Sequence, residues 1–270
     1  MKQVPHPFIK WAGGKSKLVN LIIAKLPLHI NTYYEPMVGG GAVLFELWKR
    51  NQFKKALISD ANQELITTYI VVKNQVQELI KELKKSKYTY DKTQYYKIRA
   101  LKTAKLDDIK IAARFIYLNK SCFNGLYRVN TKGEFNVPFG RYINPRILDA
   151  KNLLKVNEVL QKVEIVHDDF SIAESAESAD AVYFDPPYLP ISKTANFDKY
   201  TDCGFGLVEH ERLANLFNEI SKKTTVVLSN SNSELAISLY RKFNIEYCNG
   251  RRTIGGHSRF QTQEIIVSNA

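Results

Sequence analysis

The sequence predicts an α/β fold, with a mostly parallel sheet and an inserted, mainly helical segment. Three observations support this class. Short apolar runs recur along the chain, amphipathic stretches with helical spacing lie between them, and the alternation stops over 61–155, where Lys-rich helical stretches replace it. The 270 residues are 44% hydrophobic and 24% charged, which fits one large or two modest globular domains.

The first strand is predicted over 33–38, an apolar run that ends at the turn Gly39-Gly40-Gly41. A helix is predicted over 41–50, and a second strand over 55–60 ends in Asp60. Further strands are predicted at 163–169, 180–188, 224–230 and 263–269, with helices at 207–221 and 233–243. In a sheet of this kind, ligands bind at the carboxyl ends of the strands.

The domain organisation follows from the interruption of this pattern. The chain has no internal repeats and no low-complexity linker, so a second domain would be an insertion. We expect 61–155 to be that insertion and 1–60 with 156–270 to form one discontinuous domain. Within the insertion, apolar residues flank Asn130-Thr131-Lys132-Gly133, a pattern that predicts a β-hairpin.

The positive charge is concentrated in one segment. Residues 73–155 hold 19 Lys and Arg against 7 Asp and Glu, which equals the net charge of +12 for the whole chain. A basic segment in an otherwise neutral protein favours a polyanionic partner such as a nucleic acid. A Lys-rich, solvated helical face is the alternative.

Other classes of protein are disfavoured. No apolar stretch approaches the length needed to span a bilayer, and the N-terminal residues lack the apolar core of a signal peptide, so we expect a cytoplasmic protein. Cys122, Cys203 and Cys248 lie far apart, with no CxxC pair and no His at metal-ligand spacing. We therefore expect reduced thiols and no metal.

The segment Asp185-Pro186-Pro187-Tyr188 closes a predicted strand at the edge where an α/β protein binds ligands. Its prolines lack backbone N–H groups, so the segment offers a carboxylate, carbonyl acceptors and an aromatic face. This set suits an NH₂ group on a planar ring, because acceptors at both N–H bonds localise the lone pair while Tyr188 stacks on the ring. The alternative is a strand that simply ends in a proline turn.

A second candidate site lies earlier in the chain. The turn Gly39–Gly41 lets a ligand approach the backbone, and Asp60 is placed to bind ribose hydroxyls, so we expect a nucleoside cofactor. NAD is disfavoured because its fingerprint needs glycine where Leu44 stands. Gly13-Gly14-Lys15-Ser16 is similar to the end of an ATP-binding loop, but Ile9 stands where that loop requires glycine.

Together these motifs resemble one family, the Dam-type N6-adenine DNA methyltransferases of the D12 class, which depend on S-adenosylmethionine. The resemblance covers nearly the whole chain in order. It rests on FIKWAGGK (8–15), EPMVGGGAV (35–43), ISDAN (58–62), YLNKSCFNGLYRVNTKGEFNVPFGRY (117–142), DDF (168–170) and DPPY (185–188). It implies a Rossmann-like methyltransferase domain with an inserted DNA-recognition domain. Met37 is a departure, since the family often has Phe there.

The resemblance also implies site residues. The catalytic tetrad would be Asp185, Pro186, Pro187 and Tyr188. Cofactor contacts would be made by Trp11, Lys15, Gly39, Gly41, Asp60, Asp169, Phe170 and Asp185. DNA contacts would be made by Lys10, Phe123, Asn124, Leu126, Arg128, Pro138 and Tyr142. In this set Arg128 would read a guanine, Leu126 and Pro138 would touch a thymine methyl group, and the target would be GATC.

The resulting hypothesis is transfer of a methyl group from S-adenosylmethionine to N6 of an adenine flipped out of duplex DNA. The protein would act as a monomer, and a restriction endonuclease could be its partner. Three alternatives remain. First, the same chemistry could act on RNA or on another DNA site. Second, it could act on a protein glutamine, which is disfavoured because relatives of that kind carry Asn at the position of Asp185. Third, the chain could be a DNA-binding regulator without catalysis.

Overall fold

The computed structural model describes residues 4–15, 17–189, 205–253 and 259–270. Its strands are β1 (Ile30–Pro36), β2 (Phe53–Ser59), β3 (Val163–Val166), β4 (Ala181–Phe184), β5 (Thr225–Ser231), β6 (Asn244–Thr253) and β7 (Arg259–Ser268). They form a seven-stranded sheet in the order β3-β2-β1-β4-β5-β7-β6. The strands β2, β1, β4 and β5 run parallel, while β7 is antiparallel to both β5 and β6. The predicted mostly parallel α/β fold is confirmed.

The central strand β4 is the one that positions the predicted tetrad. All four of its residues are buried, as expected for a strand with a parallel neighbour on each side. The strand ends at Phe184, earlier than the predicted run of 180–188. The reason is chemical, since Pro186 and Pro187 have no N–H group to donate to a neighbouring strand. The sheet therefore ends where the tetrad begins.

The helices are α1 (Val19–Ile23), α2 (Ala42–Lys49), α3 (Gln63–Asn74), α4 (Val76–Leu83), α5 (Lys92–Arg99), α6 (Asp108–Ser121), α7 (Ala150–Leu160), α8 (Leu207–Ile220) and α9 (Glu234–Tyr240). Several begin at a side chain that accepts a hydrogen bond from the first turn. These capping residues are Asn62, Asp91, Asp107, Asp149 and Ser233. Among the described residues, no helix is long and apolar enough to cross a membrane.

Two compact units divide the chain. The first contains Met1–Gly14, Gly39–Lys49 and Asp60–His167, and the second contains Lys15–Val38, Arg50–Ser59 and Asp168–Ala270. The basic segment 73–155 lies within the first unit. The tetrad lies in the second.

The predicted hairpin is present as a tight turn with short antiparallel contacts. Gly133 N donates to Asn130 O (2.9 Å), and Val129 bridges to Phe135. Farther from the turn, Asn136 N donates to Arg128 O (3.0 Å). The pairing is limited to isolated bridges, so no regular strand forms. Of the cysteines, Cys122 and Cys248 are free and buried, and Cys203 lies outside the described residues.

Candidate active site

In the second unit, Asp185 is held by two neighbours. The Lys15 ammonium lies 2.7 Å from both carboxylate oxygens, and only 5% of the lysine side chain is exposed. The Ser229 hydroxyl at the end of β5 donates to Oδ1 from 2.9 Å. Asp185 itself is half-buried. Its carboxylate therefore has a fixed orientation and a buried cation beside it.

Tyr188 is fixed at its hydroxyl and at its ring. The hydroxyl donates to Glu264 Oε2 on β7 (2.8 Å), and the Lys15 ammonium lies 4.8 Å from the ring centroid. Burial raises the pKa of Tyr188 well above its ordinary value, and the negative charges of Asp185 and Glu264 raise it further. The phenol therefore stays protonated and remains a hydrogen-bond donor.

The two prolines between these residues differ in exposure. Pro186 is buried and Pro187 is exposed. The Pro187 backbone forms a hydrogen bond with the ring of His210 on α8, a residue that is only 1% exposed. Burial lowers the pKa of His210 to about 4 despite that bond, so the ring is neutral at physiological pH. A neutral imidazole thus supports the backbone of the tetrad.

Asp169 and Phe170 lie elsewhere in the second unit. Asp169 Oδ1 accepts a hydrogen bond from Ser171 N (2.8 Å), and its other oxygen pairs with the Arg212 guanidinium. Burial raises the pKa of Asp169, but the bonds from Ser171 and Arg212 outweigh it, so the net direction is downward. The Phe170 ring is 2% exposed, and the same guanidinium lies 4.0 Å from its centroid. Arg212 therefore covers this pair, a feature that the sequence analysis missed.

In the first unit, the glycine turn and Asp60 form one structure. Gly39 N donates to Asp60 Oδ2 (3.1 Å), while Asn62 N donates to Oδ1 (2.9 Å). Gly39 has φ +48°, and a Cβ atom there would lie 2.5 Å from Cδ1 of Trp11. Burial raises the pKa of Asp60, and the two backbone bonds oppose that rise. Trp11, Gly39 and Asp60 therefore lie together in the first unit, and their role in binding a cofactor stays a prediction.

Gly41 completes the turn. Its φ is +67°, and a Cβ atom there would lie 2.9 Å from the hydroxyl oxygen of Tyr69. That hydroxyl donates to Gly39 O (3.0 Å). The backbone of the turn is therefore tied to α3, and glycine is required at both ends of it.

The predicted DNA-contacting residues lie in the first unit around the end of α6. Arg128, Phe123, Asn124 and Pro138 are exposed, while Leu126 is half-buried. Arg128 Nε donates to Asn136 Oδ1 across the hairpin (2.6 Å). This hydrogen bond fixes the direction in which the Arg128 guanidinium points from the hairpin.

Lys10 and Tyr142 meet in the same unit. The Lys10 ammonium lies 3.9 Å from the Tyr142 ring centroid. Asn119, which the sequence analysis did not single out, bonds the Lys10 backbone in both directions, at 2.8 Å as acceptor and 2.7 Å as donor. Burial, with a smaller effect of nearby Lys10, lowers the pKa of Lys120 to about 8. A small cationic and aromatic surface results.

In the part of the chain that the structure describes, no group of three or more His, Cys, Asp or Glu side chains could hold a metal ion. The polar groups around Asp185 instead form hydrogen bonds and an ion pair.

A mostly parallel α/β sheet with polar groups at its strand ends is typical of enzymes that bind their ligands at that edge. The family model of the D12 class N6 adenine-specific DNA methyltransferases matches residues 11–254. The chain belongs to this family, as its motifs predicted, and is an adenine-specific DNA methyltransferase that uses a methyl donor of the S-adenosylmethionine type.

Full-length relatives agree with this assignment. The chain is 42% identical to the type II methyltransferase M.MjaIII of Methanocaldococcus jannaschii, covering 97% of this chain and 98% of the relative. It is 41% identical to the type II methyltransferase M1.LlaDCHI of Lactococcus lactis, covering 98% and 95%. It is 33% identical to the DNA adenine methylase of Serratia marcescens, covering 96% and 97%.

Proposed function

We propose that the protein methylates N6 of an adenine within GATC, after the adenine has rotated out of duplex DNA. The observation that carries this proposal is the arrangement at Asp185. Its carboxylate binds the Lys15 ammonium at 2.7 Å, and that ammonium lies 4.8 Å from the Tyr188 ring centroid. The amino group of an adenine base requires the same two neighbours: a carboxylate that accepts its N–H bond, and an aromatic ring close by.

The tetrad would act on the amine through its acceptors. Asp185 accepts one N–H bond of N6, and the Pro186 carbonyl accepts the other, so the nitrogen lone pair is directed away from the ring. Tyr188 stacks on the base and holds its plane. Flipping is required because N6 of a stacked, paired adenine is not accessible to an enzyme site.

S-adenosylmethionine, when bound, supplies a methyl group on a positively charged sulfur. We assign its contacts to Trp11, Lys15, Gly39, Gly41, Asp60, Asp169, Phe170 and Asp185. The close approach of the Trp11 ring to Gly39, which a side chain at position 39 would prevent, supports this assignment. So does Asp60, because each of its oxygens accepts one backbone N–H and keeps a further lone pair for a ribose hydroxyl.

The first unit would bind the duplex. Its segment 73–155 carries the entire excess of positive charge, which suits salt-sensitive attraction to phosphates. We assign base and backbone contacts to Lys10, Phe123, Asn124, Leu126, Arg128, Pro138 and Tyr142. Two of the relatives are type II methyltransferases, which supports a cognate restriction endonuclease as a partner.

Replacement of the acceptor tests this proposal. We expect Asp185→Ala to lower the rate of methyl transfer by about 100-fold or more, because one acceptor of the amine is lost. DNA affinity, measured by fluorescence anisotropy, should change little. Asp108→Ala, the same change at an exposed position of α6, is the control and should retain full activity. Retained methyl transfer by Asp185→Ala would contradict the proposed mechanism.

A further inference from the structure

Asp185 belongs to a chain of hydroxyl groups that the sequence motifs do not include. Ser229 is fully buried near the end of β5, next to the strand that carries the tetrad. Its Oγ lies 2.9 Å from Asp185 Oδ1 and 2.8 Å from the hydroxyl oxygen of Tyr183. Tyr183 lies on β4 and is 1% exposed.

The direction of these two hydrogen bonds follows from counting protons. A carboxylate can only accept, so the single hydroxyl proton of Ser229 is donated to Asp185. The Ser229 oxygen must then accept the proton of Tyr183. Burial, and next the negative charge of Asp185, raise the pKa of Tyr183 well above its ordinary value, so the phenol keeps that proton. The order Tyr183 to Ser229 to Asp185 is therefore the one the groups allow.

The chain has a mechanical consequence for Asp185. The terminal torsion of an aspartate side chain is broad, so packing alone leaves its carboxylate plane weakly defined. A bond from β5 to Oδ1 fixes that plane. Because β5 is a buried strand that pairs with a neighbour on each side, the restraint comes from the interior of the sheet.

We propose that Ser229 is a positioning residue for methyl transfer, and that the Tyr183 hydroxyl supports it. Ser229 orients the Asp185 carboxylate so that its acceptor sites face the target amine, and Tyr183 fixes the rotamer of the Ser229 hydroxyl. This inference rests on the proposed function of Asp185. It adds two residues outside the tetrad to the machinery of the reaction.

A double-mutant cycle on kcat tests the proposal with the full-length protein. We expect Ser229→Ala to lower kcat for methyl transfer to duplex DNA by about 10-fold or more, since a misplaced group loses rate steeply. KM for DNA should stay close to that of the unsubstituted protein. Tyr183→Phe should lower kcat less, and should have no further effect when Ser229 is already alanine, because its partner is gone.

The unfolding temperature provides a second readout, which distinguishes a positioning role from a folding defect. Ser229→Ala leaves the buried Tyr183 hydroxyl without its acceptor, whereas the double variant removes both groups. The double variant should therefore unfold at a higher temperature than Ser229→Ala while having the same kcat. A defect caused only by poor folding would instead recover activity together with stability.

The matched control is Ser268→Ala. Ser268 is a buried serine on β7, and its hydroxyl donates to Ala270 O at 2.9 Å, so the same chemical change is made outside the hydroxyl chain. Its kcat should equal that of the unsubstituted protein. Unchanged kcat in Ser229→Ala would overturn this inference and leave the proposed function intact. A double variant whose loss of kcat is the product of the two single losses would do the same. Absence of adenine methylation by the unsubstituted protein would overturn the proposed function first.

Discussion

Arg128 shows how the sequence of a loop sets the direction of one side chain. It is exposed on the hairpin, and its Nε donates to Asn136 Oδ1 at 2.6 Å. The bond uses Nε, so it does not involve the terminal amino groups, which are the donors that suit guanine O6 and N7. The turn at Asn130–Gly133 fixes the register that brings Arg128 opposite Asn136.

We predict that Arg128→Ala lowers discrimination at one guanine of the site by about 1–3 kcal/mol, as for loss of a bidentate contact. Methylation rates on duplexes with single substitutions at each position would measure this loss. Arg146→Ala is the control for charge, because Arg146 is an exposed arginine of the same unit that pairs with Asp149. Discrimination that survives unchanged at every position of the site would refute the assignment of Arg128.

Residues with a predicted chemical role could be singled out from the sequence, whereas the residues that contact them could not. Asp185, Asp60 and the glycine turn lie at strand ends with recognisable neighbours in sequence. Ser229 and Glu264 contact the tetrad from β5 and β7, and their relation to it is set by strand order and register. The polar run after the apolar residues of β5 was the available signal for Ser229.

At the scale of elements, a buried ion pair joins the helices of the first unit. Arg114 on α6 bonds Glu64 on α3 at 2.9 Å and is 3% exposed. It also donates to the carbonyls of Ile98 (3.3 Å) and Arg99 (3.0 Å) at the end of α5. One guanidinium therefore ties three helices together.

We predict that Arg114→Met lowers the free energy of unfolding by about 3 kcal/mol or more, because the partly buried Glu64 carboxylate loses its cationic partner. Urea denaturation measures the change. Lys49→Met breaks the exposed pair with Glu46 and should cost less than about 1 kcal/mol. The double variant Arg114→Met with Glu64→Leu should regain part of the lost free energy of unfolding. Equal stability of Arg114→Met and Lys49→Met would contradict the account.

The elements themselves were predictable to different degrees. The strands β1, β2, β4 and β5 were predicted from short runs of apolar residues, with bounds that differ from the observed ones by a few residues. The edge strand β6 was not predicted, because its second half (249–253) contains only polar residues and glycine, and the strand is defined by pairing with β7. The hairpin was predicted from its turn residues. The restriction of its pairing to isolated bridges was not predicted, because the extent of pairing depends on tertiary contacts.

For the whole molecule, the excess charge and the chemistry are carried by different parts of the chain. The segment 73–155, with its net charge of +12, belongs to the first unit, while the tetrad and its supports belong to the second. The proposed division of 61–155 as DNA-recognition domain, with 1–60 and 156–270 as catalytic domain, rests on that charge and on the family. The compact units add Met1–Gly14 and Gly39–Lys49 to the part that contains the basic segment.

The central claim is methylation of adenine N6 within GATC. Its most direct test incubates unmethylated plasmid with the protein and S-adenosylmethionine, and then challenges it with two nucleases, one that cuts GATC only when methylated and one that cuts it only when unmethylated. We predict that the plasmid becomes sensitive to the first and resistant to the second, and that omission of S-adenosylmethionine abolishes both changes. A plasmid that stays cut only by the second nuclease would contradict the account.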